Sequence, residues 1–326
     1  MSLAPVTIAI HTFGEDARER LVTDVRAGLT SVPKTLPSRW FYDELGSRLF
    51  EAITELPEYY LTRAESSILD RVADQVVGRF SPESMVEIGA GSCTKTRVLI
   101  EAAMKRRLSC FVPFDISEAA LQATARRLAT DFPGLTVYAM VGDYAVHLDR
   151  VPRFGRQLVL FLGSTFGNFD DEERHRFLAG VRRLLRPGDA FLLGIDLVKD
   201  EAQLVAAYND SAGVTADFNR NVLNVLNQQL VGDFVIEAFD HLALFNRERS
   251  RIEMYLRARE AQRVRLPGAN LEVDFARGEL LRTEICGKFT RGSVELALRE
   301  AQIAPVGWFA DSEQRFAVCM GEPALD

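Results

Sequence analysis

The sequence predicts an α/β fold in which a doubly wound, Rossmann-like sheet carries a second, α+β domain. The first observation is an alternation of helical segments with short apolar strands between about residues 64 and 196. The second is a glycine turn at residues 89–91, directly after the first of these strands. The third is a change at about residue 197, after which period-two alternation indicates antiparallel strands.

The order of these segments predicts two domains, each discontinuous in sequence. We assign residues 1–61 and 197–287 to a substrate-binding or lid domain, and residues 62–196 and 288–326 to the domain with the parallel sheet. The segment 288–326 belongs there because a helix and two further strands complete the sheet after the insertion. We expect the ligand pocket where the two domains meet, the usual position of small-molecule sites.

The N-terminal part begins with an apolar segment and a polar helix at about 16–29. Pro33 and Pro37 end this helix, because proline lacks an amide hydrogen and restricts the residue before it. The adjacent Tyr59 and Tyr60 follow in an aromatic turn. Adjacent side chains diverge, so we expect at least one hydroxyl to face solvent or a ligand. Packing of both tyrosines beneath a helix is the alternative.

The remaining elements follow from hydrophobic periodicity and from turn residues. Helices are predicted at 64–80, 95–107, 117–132, 171–185, 200–208, 213–230 and 293–301. Besides the strand before the glycine turn, strands are predicted at 110–115, 135–141, 157–162, 190–196, 242–246, 251–259, 262–265, 281–289, 304–310 and 315–320.

The turn after the first strand has the sequence Glu87-Ile-Gly-Ala-Gly-Ser-Cys-Thr-Lys95. Gly89 and Gly91 allow the backbone to turn sharply and to approach a ligand without a Cβ in the way. A dinucleotide-binding turn usually has a third glycine, which is missing here. Glu87 also suits a cationic or amine-bearing ligand better than a pyrophosphate. Both observations disfavour an NAD-linked oxidoreductase.

Two later strands also end in acidic residues. Asp115 closes the second strand, where an acid can hold both hydroxyls of a ribose. Asp143 and Tyr144 close the third, where they could contact the amino edge and the face of an adenine. Each acid taken singly could instead be a solvated strand-end cap. Together, the glycine turn and the acids at the ends of successive strands resemble the pattern of a class I, S-adenosylmethionine (SAM)-dependent methyltransferase.

The fourth strand ends in a small polar loop that reaches Asn168. The continuous apolar run before it predicts a buried parallel strand. In amine methyltransferases this strand end faces the methyl donor, so Asn168 is a candidate for holding an acceptor amine. A turn asparagine without a ligand is the alternative.

Composition disfavours several other classes of protein. Lys and Arg total 39 against 46 Asp and Glu, and the net charge of −7 disfavours a nucleic-acid or anionic-membrane partner. No apolar run is long enough to span a bilayer. The four cysteines lack C-x-x-C spacing and the four histidines are scattered, so we expect reduced thiols, no metal and a cytoplasmic protein.

Six strings of residues, spread over nearly the whole chain, carry a resemblance to one family. They are Lys34-Thr-Leu-Pro-Ser-Arg-Trp-Phe-Tyr-Asp, Leu56-Pro-Glu-Tyr-Tyr-Leu-Thr-Arg, Leu160-Phe-Leu-Gly-Ser-Thr-Phe-Gly-Asn, Asp196-Leu-Val-Lys-Asp, Ala212-Gly-Val-Thr-Ala-Asp-Phe-Asn-Arg-Asn-Val-Leu and Arg251-Ile-Glu-Met-Tyr-Leu-Arg-Ala. Together they resemble the L-histidine Nα-methyltransferases of ergothioneine biosynthesis. The resemblance implies a monomer that acts on a small-molecule amino acid.

The resemblance also implies roles for individual residues. Tyr59, Asn168 and Tyr208 match positions that hold the α-amino and carboxylate groups of histidine. Tyr42 matches a tyrosine close to the amine, which makes Tyr42 and Asn168 the candidate catalytic residues. Tyr144 stands where the family has a phenylalanine. The positions that match the SAM site are Gly89, Lys95, Asp115, Asp143 and Tyr144.

The positions that match the imidazole pocket contain one departure from the family. Glu284 matches the glutamate that hydrogen-bonds the ring, and Met254 lines the pocket. The family has a serine two residues after this glutamate, whereas this chain has Cys286. A thiol is a weak donor and acceptor, and one lost hydrogen bond in a buried site costs about 1–3 kcal/mol. Cys286 therefore indicates weaker histidine binding or a different amino-acid acceptor, such as a tryptophan derivative.

The resemblance implies stepwise conversion of L-histidine into Nα,Nα,Nα-trimethylhistidine (hercynine). We expect a neutral amine to displace S-adenosylhomocysteine in line from the sulfonium methyl, with Tyr42 and Asn168 orienting the lone pair. Alignment of the reactants can supply roughly 7–11 kcal/mol. A catalytically silent SAM-binding protein is the non-enzyme alternative, and the intact Tyr59, Tyr208 and Glu284 disfavour it.

Overall fold

The structure of the chain is a computed structural model that describes residues 6–10 and 14–324. The strands are β1 (Val6–Ile10), β2 (Lys34–Thr35), β3 (Ser84–Ile88), β4 (Cys110–Asp115), β5 (Thr136–Val141), β6 (Gln157–Phe161), β7 (Ala190–Asp196), β8 (Phe239–Asn246), β9 (Arg251–Ala258), β10 (Gln262–Leu266), β11 (Leu271–Phe275), β12 (Leu280–Gly287), β13 (Ile303–Ala310) and β14 (Phe316–Pro323). The α-helices are α1 (Gly14–Thr30), α2 (Glu44–Thr54), α3 (Leu61–Phe80), α4 (Arg97–Met104), α5 (Glu118–Asp131), α6 (Tyr144–His147), α7 (Asp171–Leu184), α8 (Glu201–Ala206), α9 (Val214–Leu230) and α10 (Arg291–Glu300). Short 3-10 helices occupy Ser38–Phe41, Leu148–Arg150, Thr165–Asn168, Ile236–Ala238 and Pro267–Ala269.

The described residues group into two compact units, of which unit 1 contains β1, residues 61–198 and residues 288–324. Its sheet has the strand order β1-β5-β4-β3-β6-β7-β14-β13. The neighbours from β1 to β7 pair in parallel, whereas β14 pairs antiparallel with both β7 and β13. The predicted α/β fold with a Rossmann-like, mostly parallel sheet is confirmed.

The central strands of this sheet are buried from end to end. β3, β6 and β7 expose none of their residues, which explains why their sequences are mostly apolar. Aromatic side chains such as Phe114, Phe161 and Phe191 fill the adjoining core. The parallel strands therefore form a rigid base, and the loops at their carboxyl ends carry the candidate residues of unit 1.

β1 differs from the expected organisation. We assigned residues 1–61 to the second domain, but Val6–Ile10 pair in parallel with β5, from Val6 opposite Val137 to Ile10 opposite Val141. The reason is the free edge of β5, whose backbone groups a short apolar strand can pair with. Residues 1–5 and 11–13 of the assigned segment lie outside the described residues.

Unit 2 contains residues 14–60 and 199–287. Its main sheet has the order β2-β12-β9-β8, in which β12, β9 and β8 are antiparallel and β2 joins β12 in parallel. β10 and β11 form a separate antiparallel pair. Helix α9 packs on β8 and β9. This mixture of helices and antiparallel strands confirms the predicted α+β character.

Two strands of unit 2 differ from the prediction. β11 was not predicted, because it is short and its exposed positions, Glu272 and Asp274, are charged. β12 ends at Gly287 instead of residue 289. Phe289 belongs to unit 1, where its amide donates to the Asp196 carbonyl at 2.9 Å. β12 also contains an irregularity at Thr283, between the pairs that Arg282 and Glu284 form with β9.

Candidate active site

The glycine turn of unit 1 follows β3 and lies beside the end of β4. Gly89 and Gly91 have φ angles of +68° and +49°, in the region that favours glycine. The amide of Gly89 donates to the Phe114 carbonyl at 2.8 Å, and that of Gly91 donates to Asp115 Oδ2 at 2.9 Å. A Cβ on Gly91 would meet nothing within 4 Å, so open space lies beside this loop.

Asp115 links the glycine turn to the start of α5. Its Oδ2 accepts from Gly91, and its Oδ1 accepts from the Ser117 amide at 3.1 Å. Burial raises the pKa of Asp115, and the hydrogen bonds from the backbone counteract part of this effect. Hydrogen bonds from the glycine turn and from Ser117 therefore fix the position of the Asp115 carboxylate.

Asp143 and Tyr144 begin α6 at the end of β5. Asp143 is buried and caps this helix, accepting from the Ala145 amide at 2.7 Å. It is therefore a helix cap, but it is not the solvated cap considered as its alternative role. The ring of Tyr144 packs edge-on against Phe161 and Phe169, with centroid distances of 5.7 and 5.9 Å.

Lys95 follows the glycine turn and forms an ion pair with Glu65 of α3. Glu65 is fully buried, and both of its oxygens also accept from the amide of Gly163, at 2.9 and 3.0 Å. A Cβ on Gly194 of β7 would lie 1.9 Å from Glu65 Oε1, so only glycine leaves room for this carboxylate. Sequence analysis did not identify Glu65; its signal was a charge within the apolar stripe that contains Leu61, Ala64 and Ile68.

Glu87 is a second buried carboxylate near the glycine turn. The hydroxyl of Thr96 donates to its Oε1 at 2.5 Å. Burial raises the pKa of Glu87 to about 7, although the bonds from Thr96 and from the Cys93 thiol lower it. Glu87 thus lies within the fold, at the end of β3, in a state that is poised between neutral and charged at physiological pH.

The loop that ends at Asn168 is fixed at several points. Ser164 has a φ of 60°, and its Oγ accepts from the Asp196 amide at 3.0 Å. Asp196 also forms a fully buried ion pair with Lys288, with 2.8 Å between Oδ2 and Nζ. Asn168 itself is half-buried at the end of the 3-10 helix Thr165–Asn168. Sequence analysis did not identify Lys288 as a support of this loop.

In unit 2, aromatic rings bring three of the candidate tyrosines together. Tyr42 packs edge-on against Phe50 at 5.6 Å, Phe50 against Tyr59 at 6.3 Å, and Tyr59 against Tyr208 at 6.3 Å, between ring centroids. Tyr42 is half-buried, whereas Tyr59 and Tyr208 are buried. Phe218 of α9 contacts both Tyr42 and Phe50.

Both adjacent tyrosines are buried, which corrects the premise that their side chains diverge between core and solvent; a hydroxyl that faces a ligand stays a prediction. Tyr59 and Tyr60 expose only 7% and 3% of their surface, so neither ring faces solvent. The reason is that they lie in an irregular segment before α3, where neighbouring side chains do not alternate strictly between core and solvent. The Tyr60 hydroxyl accepts from Lys199 Nζ at 2.7 Å, and this ammonium lies 4.7 Å from the ring centroid.

Strands β9 and β12 bring the predicted side-chain pocket together. Glu284 is the register partner of Met254, and Cys286 that of Ile252. Since the pairing is regular from Glu284 onward, Glu284 and Cys286 lie on the same face of β12. The Tyr208 hydroxyl donates to Cys286 Sγ at 2.9 Å, and both side chains are buried.

The candidate residues thus fall into two groups. Unit 1 contains Gly89, Lys95, Asp115, Asp143, Tyr144 and Asn168. Unit 2 contains Tyr42, Tyr59, Tyr208, Met254, Glu284 and Cys286. Over the described parts of the chain, no group of three or more His, Cys, Asp or Glu residues is arranged to hold a metal ion. Within the same residues, no helix combines the length and apolarity needed to cross a membrane.

Comparison with known proteins identifies the family. The profile of the family described as histidine-specific, SAM-dependent methyltransferases matches residues 21–323. The histidine N-alpha-methyltransferase of Mycolicibacterium smegmatis is 45% identical over 97% of this chain and 98% of its own length. Ergothioneine biosynthesis protein 1 of Schizosaccharomyces pombe is 34% identical over 59% of this chain and 26% of its own length. The L-tryptophan methyltransferase of Psilocybe serbica is 25% identical over 89% of each chain. Because the family profile and the bacterial relative both cover almost the whole sequence, this chain belongs to the SAM-dependent, histidine-specific methyltransferase family.

Proposed function

We propose that this enzyme transfers three methyl groups in succession from SAM to the α-amine of L-histidine, giving hercynine for ergothioneine biosynthesis. The observation that carries this proposal is the 45% identity, over nearly the full length of both chains, to a histidine N-alpha-methyltransferase. The relative named for ergothioneine biosynthesis supports the pathway. The other product of each transfer is S-adenosylhomocysteine.

The cofactor site is proposed at the carboxyl ends of β3, β4 and β5. Gly89 allows the backbone to approach the cofactor, Asp115 holds the ribose hydroxyls, and Asp143 with Tyr144 contacts the adenine. Lys95 completes the set. The residues fit this role because three adjacent parallel strands end in one row, beside open space at Gly91. SAM supplies a methyl group on a positively charged sulfur.

The acceptor is proposed to bind through Tyr59, Asn168 and Tyr208, which hold its α-amino and carboxylate groups. Tyr42 and Asn168 orient the lone pair of the neutral amine toward the methyl carbon. The new N–C bond forms as the S–C bond breaks, and water takes the proton that the amine releases. Positioning accounts for most of the acceleration, since alignment alone supplies roughly 7–11 kcal/mol.

Glu284 is proposed to accept a hydrogen bond from the imidazole ring, beside Met254. Glu284 is half-buried, which leaves its carboxylate able to reach a ligand. One observation favours a second candidate: Cys286 offers a thiol where the family has a hydroxyl, and it already accepts from Tyr208. The second candidate is the same chemistry on another amino acid with an N–H in its side chain.

Mass spectrometry of the products tests both candidates. The protein is incubated with SAM and, separately, with each common amino acid and with mono- and dimethylhistidine. A gain of three methyl groups on histidine alone supports the first candidate. Methylation of another amino acid without histidine supports the second, and cofactor binding without any methylation contradicts both.

We further infer a cytoplasmic monomer that needs no metal, nucleic acid or membrane. All four cysteines, each within the described residues, are free thiols, as is usual in a reducing compartment. Light scattering of the purified protein tests the monomer, and activity in the presence of a chelator tests the independence from metal.

A further inference from the structure

Three polar side chains of unit 2 form a continuous hydrogen-bonded row behind the proposed acceptor residues. His241 of β8 contacts the Tyr208 carbonyl through Nε2 at 2.8 Å and Asn219 Nδ2 through Nδ1 at 2.8 Å. Asn219 Oδ1 lies 2.6 Å from the Thr283 hydroxyl. Asn219 and Thr283 are fully buried, so water does not substitute for these bonds.

The donor and the acceptor of each hydrogen bond in this row can be assigned, because the carbonyls of Tyr208 and Tyr255 can only accept. A carbonyl only accepts, so His241 must carry its proton on Nε2, opposite Tyr208. In a neutral ring Nδ1 then has a lone pair, which accepts from the amide nitrogen of Asn219. The second N–H of Asn219 donates to the Tyr255 carbonyl at 3.0 Å, so its oxygen must face Thr283, whose hydroxyl donates.

The row ends at three residues of the proposed acceptor site. His241 holds the carbonyl of Tyr208, whose hydroxyl donates to Cys286. Thr283 lies 3.2 Å from the Met254 carbonyl and directly precedes Glu284 at the irregularity of β12. None of the three side chains has been assigned a contact with the ligand. His241 holds the carbonyl of Tyr208, Asn219 holds the carbonyl of Tyr255 beside Met254, and Thr283 is bonded covalently to Glu284.

We propose that His241, Asn219 and Thr283 are positioning residues for the acceptor, and that they work only while the imidazole of His241 is neutral. This inference rests on the proposed function, since it concerns the residues assigned to the amino-acid acceptor. It goes beyond that function because it identifies side chains that hold the backbone at Tyr208, next to Met254 and next to Glu284.

Protonation of His241 would break the hydrogen bond between His241 and Asn219. A charged ring has an N–H on both nitrogens, so Nδ1 and the amide nitrogen of Asn219 would both be donors. If Asn219 turned over, its oxygen would face the Tyr255 carbonyl instead. Burial lowers the pKa of His241, the Arg220 guanidinium lowers it further, and the Tyr208 carbonyl and Asp210 raise it. The balance favours the neutral ring at physiological pH.

Thr283 provides a matched pair of variants. Thr283→Val keeps the shape and the preference for a strand but removes the hydroxyl, whereas Thr283→Ser keeps the hydroxyl. The expected result for Thr283→Val is an increase of about tenfold in KM for the acceptor, the effect of losing one buried hydrogen bond. The dissociation constant of S-adenosylhomocysteine should not change, and Thr283→Ser should stay within about twofold of the natural chain.

Either of two results would overturn the inference in this assay. One is an unchanged KM in Thr283→Val, and the other is an equal loss of cofactor affinity, which would indicate general unfolding. The acceptor is whichever amino acid the product screen identifies. A natural chain inactive on every amino acid would contradict the proposed function, and the following measurement then decides on the row by itself.

Nitrogen-15 NMR of the histidine rings reads the proton position directly. His241 is assigned by the signal that disappears in His241→Gln. The row requires the neutral ring with its proton on Nε2 at pH 7.5, and a change to the charged ring only below the ordinary histidine range. A proton on Nδ1, or a charged ring at pH 7.5, would contradict the row regardless of catalytic activity.

Discussion

The two units support their candidate residues with different kinds of interaction. In unit 1, the buried ion pairs Glu65–Lys95 and Asp196–Lys288 hold the loops at the strand ends. In unit 2, the neutral side chains of His241, Asn219 and Thr283 hold the strands, and aromatic rings pack the tyrosines together.

This difference affects how each unit holds its residues. A buried ion pair holds its two partners strongly, because charges are poorly screened inside a protein. A neutral hydrogen bond depends strongly on distance and angle, so it fixes orientation rather than charge. Unit 1 therefore holds its strand-end loops by charge, whereas unit 2 fixes the orientation of residues proposed to bind an acceptor that must present a lone pair in one direction.

The largest expected effect comes from removing the charge at the centre of unit 1. Glu65→Gln leaves the Lys95 ammonium without its carboxylate and places an amide nitrogen near it. Breaking a buried ion pair costs roughly 3–5 kcal/mol, and the lower end applies because the Lys95 side chain is 22% exposed. Because Lys95 is then no longer held beside the glycine turn, the affinity for S-adenosylhomocysteine, measured by calorimetry, should fall, by at most the equivalent of this cost, about a hundredfold.

Two further variants control this experiment. Glu279→Gln removes the ion pair with Lys34 in unit 2 and should leave cofactor affinity unchanged. Gly194→Ala places a methyl group against Glu65 and should weaken cofactor binding in the same way, but with little further effect when combined with Glu65→Gln. Full additivity of the two changes would show that Glu65 and Gly194 act separately.

A second prediction concerns the titration of Glu87 in the cofactor-free protein. Its folded-state pKa of about 7 lies above the ordinary value of 4.5, so the folded chain binds the proton more tightly than the unfolded chain. The stability that follows is fully present below pH 4.5 and is lost as the pH rises through 7. This interval corresponds to about 3 kcal/mol.

Glu87→Gln removes this titration. The variant should therefore gain stability relative to the natural chain, by about 3 kcal/mol, between pH 4.5 and pH 8. Urea unfolding at several pH values measures the difference, from which all groups common to both proteins cancel. A difference that is constant with pH would mean that the carboxyl group of Glu87 titrates in its ordinary range.

The smallest expected effect belongs to unit 2. Cys286→Ser replaces the thiol that accepts from Tyr208 with a stronger donor and acceptor of nearly the same shape. If L-histidine is the acceptor, its KM should fall about fivefold, which corresponds to roughly 1 kcal/mol for one improved hydrogen bond. Steady-state kinetics measure this change, with the cofactor affinity as the control. An unchanged KM would indicate that Cys286 does not contact the acceptor.

Local patterns in the sequence were sufficient to predict the parallel strands of unit 1 and the turns that follow them. The glycine turn, the acid at Asp115 and the buried run of β6 each follow from neighbouring residues. β1 was placed wrongly because its partner β5 is far away in sequence and no local pattern specifies that pairing. The premise that Tyr59 and Tyr60 cannot both be buried was wrong, because it assumed strict alternation in a segment that is not a strand.

The supports of the candidate site were harder to predict than the site itself. Glu65 reaches Lys95 and Gly163 only after α3 has packed beside the sheet. Thr283 becomes a support through an irregularity in β12, which depends on its pairing with β9. The residues named by resemblance are proposed to contact ligands and stand in recognisable motifs, whereas these supports contact other residues of the fold.

Gly194 has a consequence for how this sequence can change over generations. Any larger residue there collides with the Glu65 carboxylate, while the loss of Glu65 would leave a void beside Gly194 that a methyl group fills. We therefore expect the residues at positions 65 and 194 to covary, although they belong to different elements far apart in the chain. Among relatives of this enzyme, alanine or serine at the position of Gly194 should be found only together with a shorter residue at the position of Glu65.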